Sequence, residues 1–229
     1  MRSHRRSLLL WLSFLLPFLG ACAPFGPGRG RGAQATREAV ELPPPDTEGG
    51  ATLTQALAKR RSLREYGMRA LTLQETSQLL WATQGITDSR GFRTAPSAGA
   101  TFPLEVYLAK SDGLWHYEPK GHRLRRLSSE DARQALASAA VQQTWMAQAP
   151  VLFVLTAVAE RTSGRYGERA ERYIDMEIGH AAQNLLLQAV ALGLGGVPVG
   201  AFQDAEVARV IGLPANEMPL YIVPVGTVR

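Results

Sequence analysis

Arg60-Arg61-Ser62-Leu63-Arg64 places three guanidiniums and a hydroxyl within five residues. Arginine's planar fork matches phosphate oxygens, so this run could seat a phosphate. A solvated basic surface would have the same composition. A second run, Arg93-Thr94-Ala95-Pro96-Ser97-Ala98-Gly99-Ala100, is a loop of small residues stiffened by proline. Small residues let a backbone approach a ligand closely; read alone, it is a loop leading into a strand. A third, Pro198-Val199-Gly200-Ala201, has little side-chain bulk and could offer bare amides to a ring heteroatom. Glu177-x-x-His180 has the spacing of half a di-iron site in a helix bundle. No second copy with further glutamates accompanies it, so no metal site is expected. His180 is instead expected to be a buried structural residue, hydrogen-bonded to Gln183 or Asn184.

The element that must position these residues is Arg172–Ala201. It opens as a helix carrying Ile174, Ile178, Ala181, Ala182, Leu185, Leu186, Ala189, Val190 and Leu192 on nearly every side. A helix apolar all round is buried all round, in a large core or against a second subunit. Gly193, Gly195 and Gly196 end it, and Val-Pro-Val-Gly-Ala reads as a short apolar strand. A bare strand after a buried helix suits a flat ligand lying on its backbone; it equally suits a core helix with a tight exit.

Upstream, Thr52-Leu-Thr-Gln55 and Thr72-Leu-Gln-Glu75 are capping-box patterns that open two helices. Pro103–Ala109 reads as a strand, and alternating residues on either side of Pro119-Lys-Gly121 read as a hairpin. Ser128 or Ser129 is expected to cap a helix running into Ala140. Val151–Val158 is an unbroken apolar run, most simply a central strand. A helix from Asp204 to Gly212 and a last strand from Leu220 complete the order. Helices and strands mix without regular βαβ alternation, which favours α+β. No G-x-G-x-x-G joins a strand to a helix, so a dinucleotide fold is not indicated.

Residues 1–21 read as a secretory leader: a basic start, an apolar run from Leu8 to Leu19, then Leu19-Gly20-Ala21-Cys22. Those four residues resemble a bacterial lipobox, with Cys22 as the lipid-modified residue. That implies a protein of the cell envelope, anchored to a membrane outside the cytoplasm through lipid alone. Residues 22–50, rich in Pro, Gly and Arg, are expected to be a disordered tether, and residues 51–229 the folded domain. The formal charge of +5 falls to +2 without the leader, because Arg2, Arg5 and Arg6 leave 22 basic against 20 acidic residues. With no basic face carrying interleaved aromatics, a nucleic-acid partner is not expected.

Six motifs in order resemble the nitroreductase-like flavoproteins, over Leu53–Thr227. They are R-R-S-x-R, P-S-A-G-A-x-x-P-L-E-V-Y, R-Y-x-x-x-E-x-G-H-A-A-Q-N-L-L-L-Q-A, G-L-G-x-x-P-V-G-A-F, Gly-Leu-Pro and P-L-Y-I-V-P-V-G. The branch most resembled is that of the azoline dehydrogenases of ribosomal peptide biosynthesis. The resemblance implies an α+β three-layer sandwich: a central, mainly antiparallel sheet flanked by helices, in an intertwined homodimer with two FMN sites at its interface. It implies Arg60, Arg61, Ser62 and Arg64 at the FMN phosphate and ribityl chain, and Arg229 as a further phosphate contact. Pro96, Ser97, Ala98 and Gly99 would reach FMN from the other subunit. Pro198, Val199, Gly200 and Ala201 would lie against the isoalloxazine, with an amide near N5. The implied activity is hydride transfer through flavin N5 to or from a small organic substrate, with NADH or NADPH the family's usual donor. The alternative is a flavin-binding or small-molecule-binding envelope protein without turnover. Tyr166 matches the tyrosine of a lysine–tyrosine pair in the azoline branch, but Arg165 replaces the lysine. Arginine stays protonated and cannot act as a base, a departure that speaks against azoline oxidation.

Overall fold

Two capping boxes open the first helices. In the computed structural model, which describes residues 38–48, 50–141 and 143–228, Thr52 caps α1 (Leu53–Lys59) and Thr72 caps α2 (Leu73–Gln84). In each, the threonine oxygen accepts the N3 amide while the Gln55 or Glu75 side chain returns to the cap amide. Strands β2 (Leu104–Lys110), β3 (Gly113–Glu118) and β4 (Arg123–Ser128) form a meander, and β5 (Val151–Val158) joins β2 on its other side. Helix α3 (Arg133–Ala139) precedes β5; α4 (Glu160–Tyr166) and α5 (Ala170–Ala191) follow it. The chain ends in β6 (Leu194–Gly196), α6 (Asp204–Ile211) and β7 (Glu217–Thr227).

With β1 (Ala39–Glu41) the sheet has seven strands in the order β1-β4-β3-β2-β5-β7-β6, and every neighbouring pair is antiparallel. Side chains alternate across a strand, so β5 serves two cores. Val151, Phe153 and Leu155 pack with α2 and α5; Leu152 and Val154 pack with α3 and α6. The result is the expected α+β sandwich of a sheet between two helical layers.

Several expectations are corrected. The ordered chain starts before residue 51: β1 pairs with β4, and Leu42 is buried in the core. Three residues of strand suffice because Ser77 Oγ and the His122 ring both bond the Pro43 carbonyl. The leader, Cys22, the first part of the tether and Arg229 lie outside the described residues. Neither Ser128 nor Ser129 caps α3; the Ser128 oxygen accepts the Glu130 amide in the preceding turn, and Asp131 accepts the Arg133 amide. The strand after α5 is Leu194–Gly196, not Val-Pro-Val-Gly-Ala, which touches β7 only through a Val199–Ile222 bridge. Within one chain α5 buries one face, including Ile174, Ile178, Ala181 and Leu185, while Met176, Gly179 and His180 are exposed. Met176, Gly179 and His180 fall three and four residues apart, on the side turned from the sheet. His180 is therefore not buried, and the Asn184 amide bonds the Thr94 carbonyl at 3.3 Å instead.

Candidate functional site

The first run meets the glycine exit just ahead of the third. Ser62 forms a parallel bridge with Gly196, and the Leu63 amide donates to the Gly196 carbonyl at 3.2 Å. The close approach requires glycine: a Cβ at Gly195 would stand 2.4 Å from Leu63 Cδ1, and one at Gly196 2.7 Å from the Pro224 carbonyl. Tyr66 then bridges Val228, so the arginine run, β6 and the end of β7 lie side by side.

Within this cluster the roles divide. Arg61 Nη1 donates to the carbonyls of Ala58 and Arg60, closing the end of α1. Arg60, Ser62 and Arg64 remain as the groups able to hold an anion; among the described residues neither Arg60 nor Arg64 is paired with a carboxylate. The Arg64 guanidinium stands 5.8 Å from the centre of the Trp145 ring. Val199 has spent both backbone groups on Ile222, at 2.8 and 2.9 Å. Pro198 has no N–H, so within this run the amides without a partner among the described residues are those of Gly200 and Ala201. Both residues are exposed, and the Ala201 carbonyl accepts from Gln143.

The second run lies elsewhere, on the N-terminal half of α5. Ser97 Oγ accepts the Phe102 amide at 2.9 Å, and α4 grips the following turn at three points. Arg161 donates to the Phe102 carbonyl, Thr162 bonds Thr101, and Arg165 Nη1 donates to the Gly99 carbonyl at 3.0 Å. Gly99, Ala100 and Phe102 all have positive φ, a strained arrangement that these contacts hold. Tyr166 packs edge-on against Tyr173, centroids 4.9 Å apart, with its hydroxyl 2.6 Å from where a Gly99 Cβ would be. Arg165 and Tyr166 thus stand beside the loop, and Arg165 acts as its clasp.

Behind this loop is a polar group that the sequence reading weighed only as half of a metal motif. Glu177 is 3% exposed, and its Oε1 has no hydrogen-bond partner among the described residues. Burial pushes its carboxyl up to about 7, against the pull of Ser97 and Arg93. The available signal was an acid at position 177 on the apolar stripe of Ile174, Ile178 and Ala181, where a carboxylate is rare. Arg93 lies over the Phe102 ring at 5.0 Å and donates to the Gln84 carbonyl; its Nε is buried without a partner among the described residues. Burial alone would raise the Glu105 carboxyl, but His116 and Arg161 outweigh it and hold the carboxyl below its usual range.

This arrangement of sheet, glycine exit and arginine run has known relatives. The nitroreductase family profile matches residues 57–227, and the chain belongs to that family, oxidoreductases whose members typically bind FMN and are generally dimeric. A protein of Methanocaldococcus jannaschii, assigned as a nitroreductase, is 45% identical over 195 residues, covering 82% of this chain and 97% of that one. A crystal structure of a Ralstonia eutropha protein, likewise assigned, superposes with a TM-score of 0.75 at 29% identity, covering 83% of this chain and 90% of that one. The NADPH:FMN oxidoreductase of Vibrio harveyi, solved with NAD+, shares the fold at a TM-score of 0.58 and 20% identity, over 76% of this chain and 68% of that one.

Proposed function

We propose that the protein is an FMN-dependent oxidoreductase acting on a small organic acceptor, with a nicotinamide nucleotide as electron donor. The observation that carries this is the Ser62–Gly196 bridge, which sets the run holding Arg60 and Arg64, without carboxylate partners among the described residues, beside the strand that leads into Pro198–Ala201 and its open Gly200 and Ala201 amides. Guanidiniums without carboxylate partners suit a phosphate, and the bulk-free exit suits a flat ring. The flavin, when bound, supplies the electron chemistry. The chain's part is to hold the phosphate through Arg60, Ser62 and Arg64, to offer the Gly200 or Ala201 amide to the ring edge, and to keep one ring face open.

The distance between the two regions supports a dimer in this reading. Ser97 stands beside Glu177, whereas the glycine exit begins after Ala191. Fourteen helical residues at about 1.5 Å each separate those levels by about 21 Å. That separation favours the second region reaching a ring bound mainly by another copy. The exposed Met176 and His180 on α5, and the apolar groove along Leu53, Trp81, Leu187 and Ala191, supply faces for it. Reduction of a small acceptor fits better than azoline oxidation, because Arg165 is cationic and committed to the Gly99 carbonyl. The leader and lipobox at Cys22 place this activity, in our reading, on a lipid anchor in the cell envelope.

The test is a visible absorption spectrum of the full chain purified with FMN and desalted, followed by anaerobic addition of NADPH or NADH. Retained flavin that bleaches is the expected result. Retained flavin that no nicotinamide bleaches would favour binding without turnover, and a folded dimer retaining none would overturn the proposal.

A further inference from the structure

The chain enters the domain across a small polar network whose protons can be assigned. The Leu42 amide donates to the His122 carbonyl at 3.0 Å, and the Pro43 carbonyl lies 2.5 Å from Ser77 Oγ and 3.2 Å from His122 Nε2. Ser77 Oγ is 2.6 Å from the same Nε2, and the Tyr117 hydroxyl is 2.8 Å from Nδ1. Oxygens as close as those of Ser77 and Pro43 need a proton between them, and a carbonyl has none, so Ser77 donates. Its one hydrogen is then spent, and Ser77 must accept from Nε2–H. A neutral ring carries a single N–H, which leaves Nδ1 bare to accept the Tyr117 O–H. Every donor has a partner in that one protonation state.

We propose that His122 is an acid-released latch, holding the strap of residues 38–43 on the domain while its ring is neutral and freeing it when Nδ1 gains a proton. The added N–H would point at the Tyr117 oxygen and force the phenol hydrogen to turn away. Tyr117 is 1% exposed, so that hydrogen would be buried without a partner. The loss falls on a strained residue: His122 has a φ of +48°, the left-handed region that disfavours a side chain. Facing the ring, the strap supplies Glu41, β3 supplies Tyr117 and α2 supplies uncharged Ser77. Arg93 acts on Tyr117; Arg123 is paired with Glu118, and Glu75 of α2 with Arg69. Burial lowers the pKa of the ring, against the opposing pull of the Pro43 carbonyl and Glu41. The hold is therefore complete above the ordinary histidine value of about 6.5 and is lost as pH falls from there through the lowered one. The Glu38–Arg126 pair is exposed and adds little. Gln74 and Gln78 hold Pro44 and Asp46 without a titrating group, so release stops there. Six freed residues at about 3.3 Å each add about 20 Å of reach. Use of that reach by an anchored domain rests on the lipid-anchor reading; the latch itself does not.

The test is nuclear magnetic resonance of the isotope-labelled full chain from about pH 7.5 down to about pH 5. The His122 ring should carry its hydrogen on Nε2 at the upper end and titrate below the ordinary histidine value. The amide signals of residues 39–42 should move toward free-chain positions with the same midpoint. The ratio of freed to held strap should rise by up to about tenfold per pH unit, the limit for one proton. Tyr117→Phe removes the hydroxyl that needs a bare Nδ1, so its midpoint should rise. His122→Gln cannot titrate, and its strap signals should stay constant over the range. A neutral ring with its hydrogen on Nδ1, or a strap that stays fixed through the His122 titration, overturns the inference. So does an unmoved midpoint in Tyr117→Phe, or a His122→Gln strap that still responds to acid. None of these readings needs flavin, so a chain that binds no FMN would sink the reading of function and leave the latch to be decided by its own signals.

Discussion

Around Arg60–Arg64 and Gly196–Ala201 the chain offers backbone amides and unpaired charge, whereas around Ser97–Gly99 the hydroxyl and all three carbonyls are already held by neighbours. The first region uses glycine to bring two segments together and leaves guanidiniums and amides free. The second uses α4 and the Ser97–Phe102 bond to fix a turn with three positive-φ residues. The difference teaches where binding energy and precision arise. Free charges and amides gain their partner when a ligand arrives; a gripped loop meets it in a geometry already set, which lowers the entropy lost on binding.

Substitutions can break this contrast, and the largest effect should come from the charged region. Replacing Arg60 and Arg64 together with alanine should weaken FMN binding by more than about one hundredfold, since each hydrogen bond to a charged group contributes about 1.5–3 kcal/mol. Thermal denaturation of the apo protein should be nearly unchanged, because neither arginine is paired with a carboxylate among the described residues; a large drop in Tm would mean that these residues serve the fold.

Gly99→Ala attacks the gripped region and should show the opposite pattern. Its φ of +59° disfavours a side chain, and the new Cβ would meet the Tyr166 hydroxyl at 2.6 Å and Arg165 Nη1 at 2.9 Å. A loss of about 1–2 kcal/mol in denaturant unfolding is expected from the backbone alone, with weaker FMN binding in proportion. An unchanged midpoint would show that the loop is looser than its contacts imply.

Arg165→Ala sharpens the comparison most finely. The residue is exposed, so stability should change by no more than about 0.5 kcal/mol. Removing the clasp on the Gly99 carbonyl should raise the KM for the acceptor more than it lowers kcat, and Arg165→Lys should restore part of the loss. A collapse of kcat with KM intact would instead make Arg165 part of the chemistry.

Much of this was readable in advance where local signals and tertiary structure agree. Both capping boxes form as their threonines indicate, and the unbroken run Val151–Val158 lies between β2 and β7. The arginine run and the glycine exit do come together. What escaped the sequence depends on partners far along the chain. β1 is three residues beside a proline-rich stretch, and only pairing with Arg123–Arg125 makes it a strand. Helix α4, ERTSGRY, has one buried residue, Thr162, and hence no apolar period to announce it. Arg61 and Val199 looked like their neighbours until the carbonyls of Ala58 and Arg60, and the backbone of Ile222, were seen to occupy them.

The short β1 also carries a consequence for how molecules of this protein avoid one another. Without it, β4 would expose its free N–H and C=O groups as a template for sheet growth between chains. With it, the bare rim shrinks to three residues, one of them Glu41, whose charge discourages a further strand. A chain cut at residue 51, where the apolar pattern begins, would lose that guard along with Leu42. Such a fragment would be prone to precipitate through its rim, even with every ligand-facing residue in place.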